Sequence, residues 1–364
     1  MDFLLFLIII VFLIGFEMAI PFLTKRNVVF GVYIPDEFAR DPKLLAFKKR
    51  FSLLIFIFGV IGVGLYLFLL TKVNLNESMN ALLGSAIQFS LIFMSLALYF
   101  YYHAKALQRK KAMRWGENVK QVTITDLSVR SQDAMLPWHV YLLPIAVTIG
   151  VMIYTLTKFS LLPEQIPMHW GPNGKPDAFA AKSQFSAISL LLILLTIQFM
   201  FLGINEMTKR SGFKLSATRP EASRIRQLTL RKYSSWFMFF TNVLITMLFS
   251  FLQLQMIHPN LADGAVLMAL PIIFTLMILI GCLYLAIKVG TAGERMDLHP
   301  ASGISDLDDD QYWKGGLFYF NKNDPSIFVE KRFGIGWTLN FSNPVGYIVL
   351  LGPIVIILLI SYFS

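Results

Sequence analysis

Charge and cysteine are both scarce in this sequence. Asp, Glu, Lys and Arg make up only 15% of its 364 residues, against 56% hydrophobic, whereas a soluble globule is typically about 25% charged. That composition excludes a water-soluble globular fold. The single cysteine, Cys282, cannot close an internal disulfide, and no Cys/His cluster has the spacing of structural zinc. P-loop, Gly-x-Ser-x-Gly and His-Glu-x-x-His patterns are all missing. No basic n-region or small-residue cleavage site marks the first apolar run, which therefore reads as a retained helix.

What the chain does have is long apolar runs. Eight windows stand out, near Phe3–Leu23, Phe51–Val73, Ala81–Tyr102, Val140–Lys158, Phe185–Asn205, Trp236–Ile257, Ala265–Val289 and Tyr347–Phe363. A hydrocarbon core needs about 20 residues of helix to cross, and only helices or closed barrels satisfy their backbone there. The expected fold is an all-α integral membrane protein of about eight transmembrane helices, with a structured outer loop and small β-rich cytoplasmic elements. Its expected organisation is a three-helix region with basic loops (1–138), a helix–loop–helix domain (139–205), two further membrane helices (206–290), a cytoplasmic segment (291–345) and a last membrane helix (346–364).

Basic residues collect in alternate loops: Lys25 to Arg50, Lys105 to Arg130, and Lys209 to Lys232. The positive-inside rule makes these loops cytoplasmic and places both termini outside a plasma membrane. The formal charge of +10 is thereby assigned to topology and to anionic lipid, not to nucleic acid. In the first of these loops Asp36 or Asp41 is placed to cap a helix, and Lys43–Arg50 reads as an amphipathic lead into the second span. VTITDLSVR and the stretch Gly316–Phe341 alternate as strands do. The acidic run DLDDDQ lacks the glycine and closing glutamate of a calcium loop, so the region Gly293–Gln311 reads as a solvated linker.

The loop between the fourth and fifth spans reads LPEQIPMHWGPNGKPDAFAAK. Four prolines and two glycines keep it from being helical throughout, and a simple connector needs far less. Glu164, His169 and Asp177 are its candidate binding groups, and Trp170 suits a membrane interface. Within the first span lies Glu17, an intramembrane acid and so a functional candidate. Pro144, Pro271 and Pro353 read as kinks, and Gln88, Gln198, Asn242, Gln253 and Gln255 as helix–helix hydrogen-bonding groups.

Pro163, Ile166, Pro167, His169, Trp170, Gly174, Pro176, Asp177 and Lys182 match the pattern P-x-x-I-P-x-H-W, then G-x-P-D, then Lys. The loop with its flanking helices, about Val140–Asn205, resembles a bacterial membrane domain of uncharacterised function. That domain opens the immunity proteins of the sporulation-delaying toxin system. The stretch YWKGGLFYFNKNDPSIFVEKRFGIGWTLNFSNP resembles a short module that accompanies it. The resemblance implies a non-enzymatic protein with no cofactor, resistance to a secreted toxic peptide, and a transcriptional repressor as an inner partner. Two other readings remain open on the residues. One is a transporter using Glu17 and kinked spans. The other is a membrane-embedded metal-dependent enzyme using Glu164, His169 and Asp177.

Overall fold

The computed structural model describes residues 2–73, 76–116, 120–122, 124, 127–171, 176–293, 296 and 304–364. Among these, eight helices are long and apolar enough to cross a membrane. They are α1 (Asp2–Leu23), α2 (Pro42–Lys72), α3 (Glu77–Ala112), α4 (Leu142–Thr157, with the 3-10 turn Trp138–Tyr141 before it), α5 (Gln184–Arg210), α6 (Pro220–Ile257), α7 (Gly264–Gly290) and α8 (Pro344–Phe363). The apolar windows all became helices, and several helices run past them. At about 1.5 Å per residue, the 31 residues of α2 and 38 of α6 exceed a hydrocarbon core of about 30 Å. Asp41 explains the early start of α2: its carboxylate accepts the N–H groups of Lys43 (3.0 Å) and Leu44 (3.1 Å), with Pro42 in the first turn. Arg109, Lys110 and Lys111 in the last turn of α3 suit the negative end of its dipole.

Ten short strands form two-stranded sheets among the described residues: β1 (Val28–Val29), β2 (Val32–Tyr33), β3 (Lys120–Val122), β4 (Gln165–Trp170), β5 (Pro176–Ala181), β6 (Ile304–Asp306), β7 (Trp313–Lys314), β8 (Phe318–Tyr319), β9 (Phe328–Glu330) and β10 (Trp337–Leu339). The pairs β1–β2, β4–β5, β7–β8 and β9–β10 are antiparallel, and β3–β6 is parallel.

The chain divides into two compact units. The first comprises Met1–Ala134, Arg210–Tyr233 and Leu283–Asn343. Its helices α1, α2 and α3 bundle around Ile10, Tyr66, Ile87 and Leu91. Gly59 and Gly84 admit Ile14 and Phe6 of α1 at short range, the close approach that small residues permit in membrane bundles. A second core joins the β1–β2 hairpin (Val29, Phe30, Val32) to Leu44, Phe51 and Ile55 of α2 and to Tyr99, Tyr102 and Ala106 of α3. Its two-residue turn has φ +46° at Phe30 and +76° at Gly31, as tight hairpin turns require. The Phe30 ring is held in that unfavourable backbone by Phe51, Tyr102 and Phe333.

The second unit comprises Met135–Lys209, Ser234–Cys282 and Pro344–Ser364. It contains α4, α5, most of α6 and α7, and α8, with the β4–β5 hairpin between α4 and α5.

Three expectations change. Pro144 does not interrupt its span, because α4 starts at Leu142 and a first-turn proline lacks only an N–H that has no intrahelical partner. Of VTITDLSVR, only Val122 lies in a paired strand, β3; Leu127–Gln132 is a 3-10 turn with Val129 buried, while residues 123, 125 and 126 lie outside the described residues. The acidic part of the expected linker is not a free solvated run but half-buried and ion-paired, because basic side chains from elsewhere in the first unit meet it. The remainder of that stretch at 294–295 and 297–303 lies outside the described residues.

Candidate functional site

The loop of the sequence motif is the β4–β5 hairpin. Its inner face is apolar: Leu162 and Ile166 are buried with Ala187 of α5 and Met256 and Ile257 of α6, and Met168 and Trp170 pack beside them. Lys182 fastens the base, donating to Leu162 O (2.7 Å) and to Glu164 Oε1 (3.2 Å). A reciprocal serine box follows. Ser186 N–H donates to Ser183 Oγ (3.0 Å) and Ser183 N–H to Ser186 Oγ (2.9 Å), which begins α5.

Register explains why the prolines are tolerated. Lys182 N–H donates to Glu164 O (3.0 Å), so 164/182 is a hydrogen-bonded pair. Bonded and non-bonded pairs alternate in an antiparallel ladder, which makes Pro167↔Phe179 non-bonded. The N–H missing from Pro167 thus costs no bond within the hairpin and instead blunts the outer edge of β4. A bulge at Met168 follows, between Pro167 and His169. Strand β5 is exposed along nearly all of its length, with Phe179 at 52%, and its outward groups at Phe179 lie on an open edge.

The bulge re-aims His169 toward β5, where its Nδ1 stands 2.5 Å from Asp177 Oδ1. Both side chains are exposed, at 69% and 52%, so solvent screens the pair. The four sequence-predicted loop residues therefore part company. His169 and Asp177 meet, Glu164 pairs with Lys182 at the base, and Trp170 is half-buried against the helices. Among the described residues no three His, Cys, Asp or Glu side chains are placed to share a cation. Gly174 of the motif lies outside the described residues. Glu17 sits in the α1–α3 bundle, accepting the Ser95 hydroxyl at 2.6 Å.

A second polar concentration, in the first unit, was not expected. Asp306 accepts the N–H groups of Ala217 (2.5 Å) and Thr218 (3.3 Å) and the Ser216 hydroxyl. Lys110 bridges Asp308 (2.5 Å) and Asp310 (2.7 Å), while Arg332 pairs with Asp309 and Asp310 and donates to Gly31 O (2.7 Å). Glu330 is ion-paired with Lys25 (2.7 Å) and Arg226 (3.3 Å). Burial alone raises the Glu330 carboxyl, but Lys25 and Arg226 outweigh it and hold it below the usual glutamate range. Asp310 likewise ends below its ordinary value, burial being overcome by Arg332 and Lys110. Asp36 goes the other way: burial raises it, countered only in part by the Thr218 hydroxyl at 2.5 Å. The clustered acids of DLDDDQ were the sequence signal for this network, because its cations lie far away along the chain.

Residues 146–195, which contain the hairpin, match the model of a domain of unknown function (DUF1648), and residues 322–347, which contain β9 and β10, match a family of unknown function (DUF5808). No curated protein and no solved structure matches the chain. Neither family description assigns a function, so the likeness to toxin-immunity proteins rests on the motif residues alone.

Proposed function

We propose that this is a non-enzymatic, multi-pass plasma-membrane protein that binds an extracellular peptide at the β4–β5 hairpin, as part of toxin immunity or membrane signalling. The observation that carries the reading is the asymmetry of the hairpin: one face anchored to α5 and α6, one edge blunted by Pro167, and β5 left exposed and nearly uncharged. An extended peptide adds naturally to such an edge, its backbone pairing beside Phe179, with His169 and Asp177 selecting for polar groups. In this reading the basic loops and the segment 304–343 face the cytoplasm, the Lys and Arg residues meet anionic lipid, and a regulatory protein is the inner partner. Occupancy is transmitted only if the peptide favours one helix arrangement over another.

The test is a deletion strain challenged with secreted antimicrobial peptides and complemented with wild type, His169→Ala and Asp177→Ala. Resistance restored by wild type alone supports the reading. Resistance unaffected by the deletion removes immunity, and full rescue by both variants removes the hairpin as its site.

A further inference from the structure

Unit two is polar where a membrane bundle is expected to be driest. Along α6, Ser235, Asn242, Thr246, Ser250 and Gln253 follow one another at spacings of seven, four, four and three, one face of a helix. All five are buried, with Ser235, Asn242 and Gln253 fully so. Thr148 of α4 and Ser189, Gln198, Asn205 and Thr208 of α5 are fully buried too.

Gln198 is where the three helices meet. Its Nε2 lies within bonding distance of Pro144 O (3.1 Å), Thr148 Oγ1 (2.8 Å) and Thr246 Oγ1 (2.8 Å), three acceptors for two hydrogens. The two threonine hydroxyls already donate one turn back, to Pro144 O and Asn242 O, so neither is free to return to Gln198 Oε1. Nearer the hairpin, Gln253 Nε2 donates to Ala187 O (2.9 Å). Toward the other end, Asn205 bonds Leu136 O and the Ser235 hydroxyl. What remains, among the described residues of the second unit, is a set of buried side-chain atoms with no partner: Oε1 of Gln198, Gln253 and Gln255, both polar atoms of Asn242, and the hydroxyls of Ser250, Thr241, Ser234 and Thr208.

Lipid supplies no hydrogen bonds, and each buried orphan costs about what a lost hydrogen bond does. So many together rival the net stability of a whole domain. The orphans are all amides and hydroxyls, so whatever satisfies them is uncharged and both donates and accepts. Being spread along the length of α5 and α6, they call for several small molecules and not one large one. We propose that the α4–α5–α6 seam is an internal water site, a row of bound waters along Gln198, Asn242, Ser250 and Gln253. Water there gives α6 exchangeable partners, so it can shift against α4 and α5 without stranding an amide. The inference is independent of the peptide reading.

X-ray radiolytic hydroxyl footprinting of the purified full-length protein in detergent tests it, because bound water generates radicals beside side chains that bulk solvent does not reach. Leu191 and Leu194 share the Gln198 face of α5 and are 0% exposed, as is Ile10 in the α1–α3 bundle. The expected result is oxidation of Leu191 and Leu194 several-fold faster than of Ile10, falling toward the Ile10 rate in Asn242→Leu. Should that variant not fold, Ser250→Ala is expected to give a smaller drop in the same direction. Equal rates at Leu191, Leu194 and Ile10 in the wild type overturn the proposal, as does an undiminished excess in the variants.

Discussion

Gly31 and Gly316 lie backbone against backbone: a Cβ on Gly31 would stand 2.7 Å from Gly316 Cα, and one on Gly316 would stand 2.8 Å from Gly31 Cα. Both have positive φ, +76° and +73°, and the Tyr99 hydroxyl beside them donates to Gly315 O at 2.9 Å. This contact ties the β1–β2 turn to the turn between β7 and β8 over α3. Gly316→Ala meets both a left-handed backbone and a backbone clash, so it should cost about 3 kcal/mol or more. Gly334→Ala has positive φ but open space around it, and should cost about 1–2 kcal/mol. Melting temperatures of the two variants in detergent check the order.

Glu330 holds two cations at once. Removing it leaves Lys25 and Arg226 facing each other with no counter-charge, so Glu330→Ala should destabilise the first unit by about 3–5 kcal/mol. A loss as small as that of an exposed pair would show that water reaches the site.

The pH dependence has a defined sign. Glu330, Asp310 and Asp324 have depressed carboxyls, so their contribution is present above the unfolded carboxylate range and is lost as pH falls through their folded values. The first unit should therefore weaken below about pH 4. Asp36 is raised; it costs stability at neutral pH and regains it on protonation. Asp36→Asn should raise the melting temperature at pH 7 and lose that advantage in acid.

Asn340 contrasts with Asn242. Its amide donates to Asn321 O (2.8 Å) and Asp324 O (2.9 Å), and its Oδ1 accepts from Asn321 N–H and Ser342 N–H. Asn340→Ala strands several half-buried backbone groups at up to about 1–3 kcal/mol each, so it should loosen the β8–β10 region, visible as lost amide exchange protection there.

His169→Ala and Asp177→Ala should shift stability by less than about 1 kcal/mol, because solvent screens the pair. Melting and membrane insertion close to wild type, measured beside the resistance assay, would separate loss of recognition from loss of fold.

Much of this molecule was legible in the chain. Every apolar window became a helix, since a run of about 20 apolar residues has few other stable forms in lipid. Asp41 capped α2 as its position suggested. The prolines and glycines of 162–182 announced a non-helical loop, and Pro167 even fell where a hairpin ladder needs no N–H. What stayed illegible depends on distance along the chain. Asp306 to Asp310 look like a solvated run until Lys110 and Arg332 are brought to them. The seam residues look like ordinary helix-packing groups until counting their partners shows the orphans.

By itself, the sequence determined the eight long apolar helices, the Asp41 cap and the non-helical loop, because these follow from local composition, backbone restriction and hydrogen-bond satisfaction. Tertiary structure alone decided that Glu164 belongs to Lys182 while His169 belongs to Asp177, that the acidic run is an ion-pair network, and that the side-chain amide of Asn242 is buried without a partner among the described residues. Each of those depends on which side chains are brought within about 3 Å of one another, a distance that only the packed helices and paired strands set.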